Sequence, residues 1–214
     1  MKVLNKRMLM LTSIVILLPM LIGFALWNQL PAQVPIHFDF RGTPDNYSSR
    51  LFAVVALPLF VLACHLLSLF ATMHDPKKQN FSDKILNITV WICPVVSLYV
   101  AVIVYSNALG YPLNAARCGT ILIGVLFTAL GNYLPKCRQN YTVGIKLPWT
   151  LDDEDNWNHT HRFGGYVMSM VGLLVLIAGL VGFNIPSVLI IALLVASLSP
   201  IVYSFLYAKR HGKA

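Results

Sequence analysis

The sequence predicts an all-α, polytopic membrane protein of about six transmembrane helices with both termini in the cytoplasm. Charged residues make up only 11% of the 214 residues and hydrophobic ones 57%, where a soluble domain carries about 25% charged residues. Mean hydropathy is +0.69. Uncharged apolar runs recur six times along the chain, each close to the roughly 20 residues that cross a hydrocarbon core at 1.5 Å per residue. Thirteen of the sixteen Lys and Arg fall on one side of the bilayer if every run crosses it. The positive-inside rule makes that side the cytoplasm.

The first helix is expected over residues 8–27, after Lys2, Lys6 and Arg7. A signal peptide opens similarly, but this run is about twice a usual signal core and ends on no A-x-A site, so an uncleaved helix is expected. Residues 28–50 are polar and outward-facing. Pro31, Pro35, Gly42 and Pro44 exclude a regular helix there, and a short ordered loop is expected. The second helix is placed at 51–72, and a basic turn with Lys77, Lys78 and Lys84 follows. The third helix runs over 85–106, a link with Gly110 and Pro112 over 107–114, and the fourth helix over 115–134. A polar connector, 132–165, is the longest such interval in the chain. The fifth helix is placed at 163–183, a tight turn at Asn184-Ile185-Pro186, and the sixth helix at 187–207. Two parts are expected within one membrane domain: 1–72, a helix pair with the outward loop, and 73–214, a four-helix unit around the connector.

Pro19, Pro58, Pro94 and Pro200 lie inside helices. Each removes a backbone hydrogen bond that neighbouring groups in a membrane bundle can replace. Small residues such as Ala178-x-x-x-Gly182 allow close helix contact, expected within the bundle. Cys64 and Cys93 lie in apolar runs, while Cys118 and Cys137 sit at opposite ends of one helix. No disulfide framework and no zinc ribbon follow. The net charge of +8 is explained by helix ends, so no direct nucleic-acid partner is expected. The lipid bilayer is the partner the composition demands.

Few residues are arranged for chemistry. In the connector, Glu154, His159 and His161 are the right ligand types for a metal. The two histidines are two residues apart, about 200° on a helix, and no HExxH is present. The plainer reading is a short helix beginning at Asp152–Asp155, capped by Thr150, with Trp149 and Trp157 at the lipid headgroups. In the outward loop, His37, Asp39, Asp45 and Tyr47 form a binding or capping surface, with no nucleophile or oxyanion hole beside them. His65 is an ionisable group at membrane depth: either a relay or a neutral side chain bonded to a carbonyl. No cofactor site is recognisable.

Two stretches resemble a known family. The outward loop matches LPxxVPxHF, then Gly, then PDxY and a basic residue, through Leu30, Pro31, Val34, Pro35, His37, Phe38, Gly42, Pro44, Asp45, Tyr47 and Arg50. That pattern resembles the domain of unknown function at the N-terminus of SdpI-like proteins. The connector resembles the SdpI signature, GNxLPKxRxNxxxGIRxPWTL followed by ExxWxxTHRxxG. Here it falls on Gly131, Asn132, Pro135, Lys136, Arg138, Asn140, Gly144, Ile145, Pro148, Trp149, Thr150, Glu154, Trp157, Thr160, His161, Arg162 and Gly165. Lys146 stands where an Arg is usual, which keeps the charge but not the planar fork.

The resemblance implies a multi-pass protein of the bacterial cytoplasmic membrane. The implied role is immunity to a secreted toxic peptide met at the outer loop, with signalling by sequestering a cytosolic transcriptional repressor at the connector. It implies binding rather than catalysis. The candidate contact residues are Pro35, His37, Asp39, Gly42, Asp45, Tyr47 and Arg50 outside. Inside they are Asn132, Lys136, Arg138, Asn140, Trp149, Thr150, Glu154, Trp157, His161 and Arg162. Two other readings of the residues are a small-molecule or peptide transporter, with prolines and His65 lining a path, and a metal-dependent membrane enzyme.

Overall fold

A computed structural model of the chain describes residues 6–183 and 185–212. Lys2 and Lys213 of the charge count, and Asn184 of the expected turn, lie outside the described residues. Among these residues, six helices are long and apolar enough to cross a membrane. They are α1 (Lys6–Ala25), α2 (Leu57–Met73, continuing a π-helical turn over Phe52–Ala56), α3 (Asp83–Ala108), α4 (Ala115–Tyr133), α6 (Glu154–Val181) and α7 (Ile185–Arg210); the short α5 (Pro148–Asp152) precedes α6. The chain is a multi-pass membrane protein. The expected helices are all present, but α6 begins at Glu154 rather than at residue 163. Its polar first turns belong to the same helix as the apolar span.

Residues 28–50 hold more than a loop. Strands β1 (Gln33–Phe38) and β2 (Pro44–Ser49) form an antiparallel hairpin, an addition to the all-α expectation. Prolines are tolerated because each strand of a two-stranded sheet is an edge. A register irregularity between Pro35 and Phe38 bends the hairpin beside His37.

The chain divides into two compact units, Met1–Met73 with Leu86–Ala116, and His74–Ile85 with Arg117–Ala214. The expected boundary after residue 72 is therefore only part of the division, because most of α3 packs with the first unit. In that unit, Leu30, Val34, Ala53, Val54, Ala101, Val104 and Tyr105 form a core that seats the base of the hairpin. The Tyr105 hydroxyl donates to Pro19 O at 2.9 Å and the Ser97 hydroxyl to Ile16 O at 2.9 Å. Both acceptors lie within one turn of Pro19, inside α1.

In the second unit, α4 and α6 approach closely. A Cβ on Gly124 would stand 2.5 Å from Leu176 N, one on Gly131 2.5 Å from Ser169 N, and one on Gly172 2.7 Å from Thr128 Oγ1. On α6, Gly165, Gly172 and Gly179 recur every seven residues and present one narrow face to α4. The Ala178-x-x-x-Gly182 pair expected from sequence is not part of it. Gly182 ends α6 in the left-handed region (φ 79°) with open space around it. Arg117 of α4 closes the same helix end, donating Nε to Gly179 O at 3.0 Å and Nη2 to Leu180 O. A cation on these last carbonyls opposes the negative end of the helix dipole.

Gly172→Leu forces α4 and α6 apart. The expected cost is about 1–3 kcal/mol, read as a lower unfolding temperature of the detergent-solubilised chain; an unchanged midpoint would refute the close packing.

Candidate functional site

Each unit carries one cluster of the residues singled out by sequence. In the first, the hairpin turn is built on Asp39. Its Oδ1 accepts the N–H of Thr43 at 2.8 Å and of Arg41 at 2.9 Å, while Gly42 N–H donates to Asp39 O. The Thr43 N–H, more than any other group, holds the Asp39 carboxyl below its usual range. Gly42 has φ 84°, and a Cβ there would stand 2.8 Å from Ala116 N, so both the turn and the approach require glycine. Asn114 Nδ2 donates to Arg41 O at 2.9 Å and fastens the turn. Across the strands, His37 Nδ1 meets Asp45 Oδ1 at 2.5 Å, both side chains exposed. Arg50 donates to Trp27 O at 2.7 Å and lies over the Trp27 ring, anchoring the hairpin to the end of α1.

In the second unit, the connector is folded around buried polar side chains. His161 and Trp157, one turn apart on α6, are stacked with centroids 3.9 Å apart, and both are fully buried. His161 Nε2 accepts the Ile145 N–H at 2.9 Å and Nδ1 lies 2.8 Å from Trp157 O. A carbonyl can only accept, so these partners fix a neutral ring with its proton on Nδ1. Trp157 Nε1 donates to Cys137 O at 2.7 Å. Gly144, at φ 128°, lies against this pair, where a Cβ would meet the Trp157 ring at 2.9 Å. Asn140 closes the turn: its Oδ1 accepts from Val143 N at 2.6 Å and Thr142 N at 2.9 Å, and its Nδ2 donates to the Arg138 and Val143 carbonyls.

The residues 74–80 lock onto this turn. Asp75, 3% exposed, accepts from Tyr141 N at 2.8 Å, Thr142 Oγ1 at 2.6 Å and Lys77 N at 2.8 Å. Gln139 donates to the Thr150 and Leu151 carbonyls and accepts from Lys77 Nζ. Burial pushes the Cys137 thiol up to about 11.

Residues 136–204 match the SdpI/YfhL protein family, and residues 14–62 match a domain of unknown function, DUF1648. Over residues 136–204 the chain is thus similar to the SdpI family. The immunity protein SdpI of Bacillus subtilis (strain 168) is 23% identical over 205 residues, spanning 94% of this chain and 95% of that protein. No solved structure matches.

The SdpI signature thus separates into two sets. Asn140, Thr150, Trp157 and His161 are buried and bonded to the chain's own backbone. Asn132, Lys136, Arg138, Glu154 and Arg162 are exposed, and Trp149 is half-buried with its Nε1 donating to Ser204 Oγ at 2.9 Å. In the hairpin, Pro35 and Gly42 are buried, Asp39 and Arg50 are half-buried, and His37, Asp45 and Tyr47 are exposed.

Three expectations are corrected. Trp157 lies inside the protein rather than at the headgroups, because α6 starts early enough to turn its ring onto the connector. The helix cap is Asp153, whose carboxylate accepts the Asp155 N–H at 3.2 Å. Thr150 instead sits inside α5, accepting the Leu147 N–H at 2.9 Å. Glu154, His159 and His161 are not gathered. Helical spacing turns His159 outward against Tyr207 while His161 spends both nitrogens internally. Among the described residues no cluster of three metal-ligand side chains occurs.

Asp75 and Gln139 escaped the sequence reading. The available signal for Asp75 was an acid followed by proline at the head of a basic turn.

Asp75→Ala leaves three donors without their acceptor, at a cost of roughly 1–3 kcal/mol. Hydrogen exchange over residues 139–147 should accelerate, while Arg138→Ala should leave it unchanged. The Cys137 thiol should resist iodoacetamide at pH 8 in the native chain and react once it is denatured, as read by mass spectrometry.

Proposed function

We propose that this chain is an immunity and signalling protein of the bacterial cytoplasmic membrane. It meets a secreted toxic peptide at the hairpin and holds a cytosolic transcriptional repressor at the connector. The observation that carries this reading is the division of the signature: its buried members are consumed in holding the connector, and Lys136, Arg138, Lys146 and Arg162 are left at the surface. An exposed basic set on a rigid frame suits an acidic protein partner. The similarity to the B. subtilis immunity protein, which extends over nearly the whole length of both chains, supports the same role. The distribution of Lys and Arg supports placing the connector inside and the hairpin outside.

The test is transfer into a peptide-sensitive host. Cells making the chain should survive; cells that die as fast as controls across several related toxins would remove immunity. Replacing Lys136, Arg138, Lys146 and Arg162 together by Ala should leave survival intact while a fluorescent repressor fusion, membrane-bound with the parent chain, becomes diffuse. A cysteine placed at Asn158 should be labelled from the cytoplasmic side only.

A further inference from the structure

The hairpin covers a cavity of about 290 Å³, walled by Ile36 and Phe38 of β1 and by Tyr99 and Ile103 of α3, with His37 and Asp39 also on its lining. A water occupies about 30 Å³ in the liquid, and close-packed interiors leave few voids larger than one. This space is therefore far larger than a packing defect. It is also at or below the low end of small-molecule sites, roughly 300–1,000 Å³. It fits one large side chain.

Its polar border has a definite sign. The Thr43 and Arg41 N–H groups both donate to Asp39 Oδ1, and Oδ2 takes neither of these bonds. His37 does not neutralise it, because its Nδ1 is committed to Asp45. The Arg41 side chain is the weakest of the influences that keep Asp39 ionised. Two aromatic rings of the same region stand in the open: Phe40, 77% exposed, in the turn, and Tyr111, 75% exposed, in the loop that Asn114 fastens to it. Exposed aromatics on the segments that carry a pocket and a fixed charge suit a recognition surface.

We propose that this cavity receives one apolar side chain of a cationic peptide, and that Asp39 Oδ2 takes the adjacent positive charge. The proposal rests on the peptide-binding reading above and names the chemistry of the peptide. Recognition is by side chains. Strand addition to the hairpin is disfavoured, since Pro35 and Pro44 lack N–H donors and Asn46 Oδ1 already takes the Tyr47 N–H at 2.8 Å.

The full chain in phosphatidylcholine nanodiscs is titrated with a fluorescein-labelled twelve-residue peptide of alternating Leu and Lys, and with the Leu/Glu counterpart. Empty discs supply the baseline. The Lys peptide should bind about tenfold more tightly, and Asp39→Asn, which keeps the Oδ1 acceptor of the turn, should remove most of that difference. Ile103→Trp should weaken it similarly by filling the cavity; Ala116→Phe serves if that variant fails to fold. Equal affinity for the two peptides, or an unchanged preference in Asp39→Asn, overturns the proposal. Asp39-dependent binding without protection of cells would sink immunity and leave the cavity assignment standing. Protection that survives in Asp39→Asn and Ile103→Trp would sink the cavity assignment and leave immunity standing.

Discussion

A connector between two membrane helices can be ordered only if its backbone N–H and C=O groups find partners, since apolar helix ends supply none. In this protein those partners are side chains. His161 accepts the Ile145 N–H, Asn140 closes the turn from Arg138 to Val143, Gln139 takes the carbonyls of Thr150 and Leu151, and Asp75 takes the N–H of Tyr141. Remove these and the connector has no regular secondary structure to fall back on between the turn at Leu134–Lys136 and α5. The buried polar network is therefore the condition for everything displayed on its surface.

The same principle explains the first unit. The hairpin has only one strand pair, marginal by itself in water. It is held by Val34 in the apolar core, by Arg50 on the carbonyl ending α1, and by Asn114 on the turn. In both units the polar residues written into the family pattern divide between holding the loop and facing outward. Burial, rather than residue type, tells the two apart.

This bears on what could be read from the chain alone. The six spans were legible because length and apolarity act over twenty residues at a time, and charge asymmetry acts over whole loops. The hairpin was not, because Pro35 and Pro44 argue against a strand in any sheet with an interior. A short helix at Asp152–Asp155 was legible, but not that it runs unbroken into the apolar span, until Trp157 and His161 are seen to share a face at i, i+4. Asp75 was invisible for another reason. Its partners lie some 66 residues away in sequence, and neither matched family segment includes it.

The fate of the polar atoms also weighs the functional readings against each other. A catalytic histidine or acid needs a lone pair or proton left over for substrate. His161 has both nitrogens engaged by backbone, and Asp75, 3% exposed, takes three donors from its own chain. In the connector, the groups with spare capacity lie at the surface: the cations Lys136, Arg138, Lys146 and Arg162 beside the acids Asp152, Glu154 and Asp155. His65 is the exception in the first unit. The Thr12 hydroxyl, which also reaches Met8 O, lies 3.0 Å from His65 Nε2, and the buried His65 Nδ1 has no partner among the described residues. That nitrogen is what a transport reading would have to use, and it lies in a histidine that bridges α2 to α1, not at either displayed surface. Binding at the two surfaces and any traffic past His65 are thus physically separable. His65→Ala should leave peptide survival intact if recognition alone confers it, and abolish survival if the peptide must instead be moved.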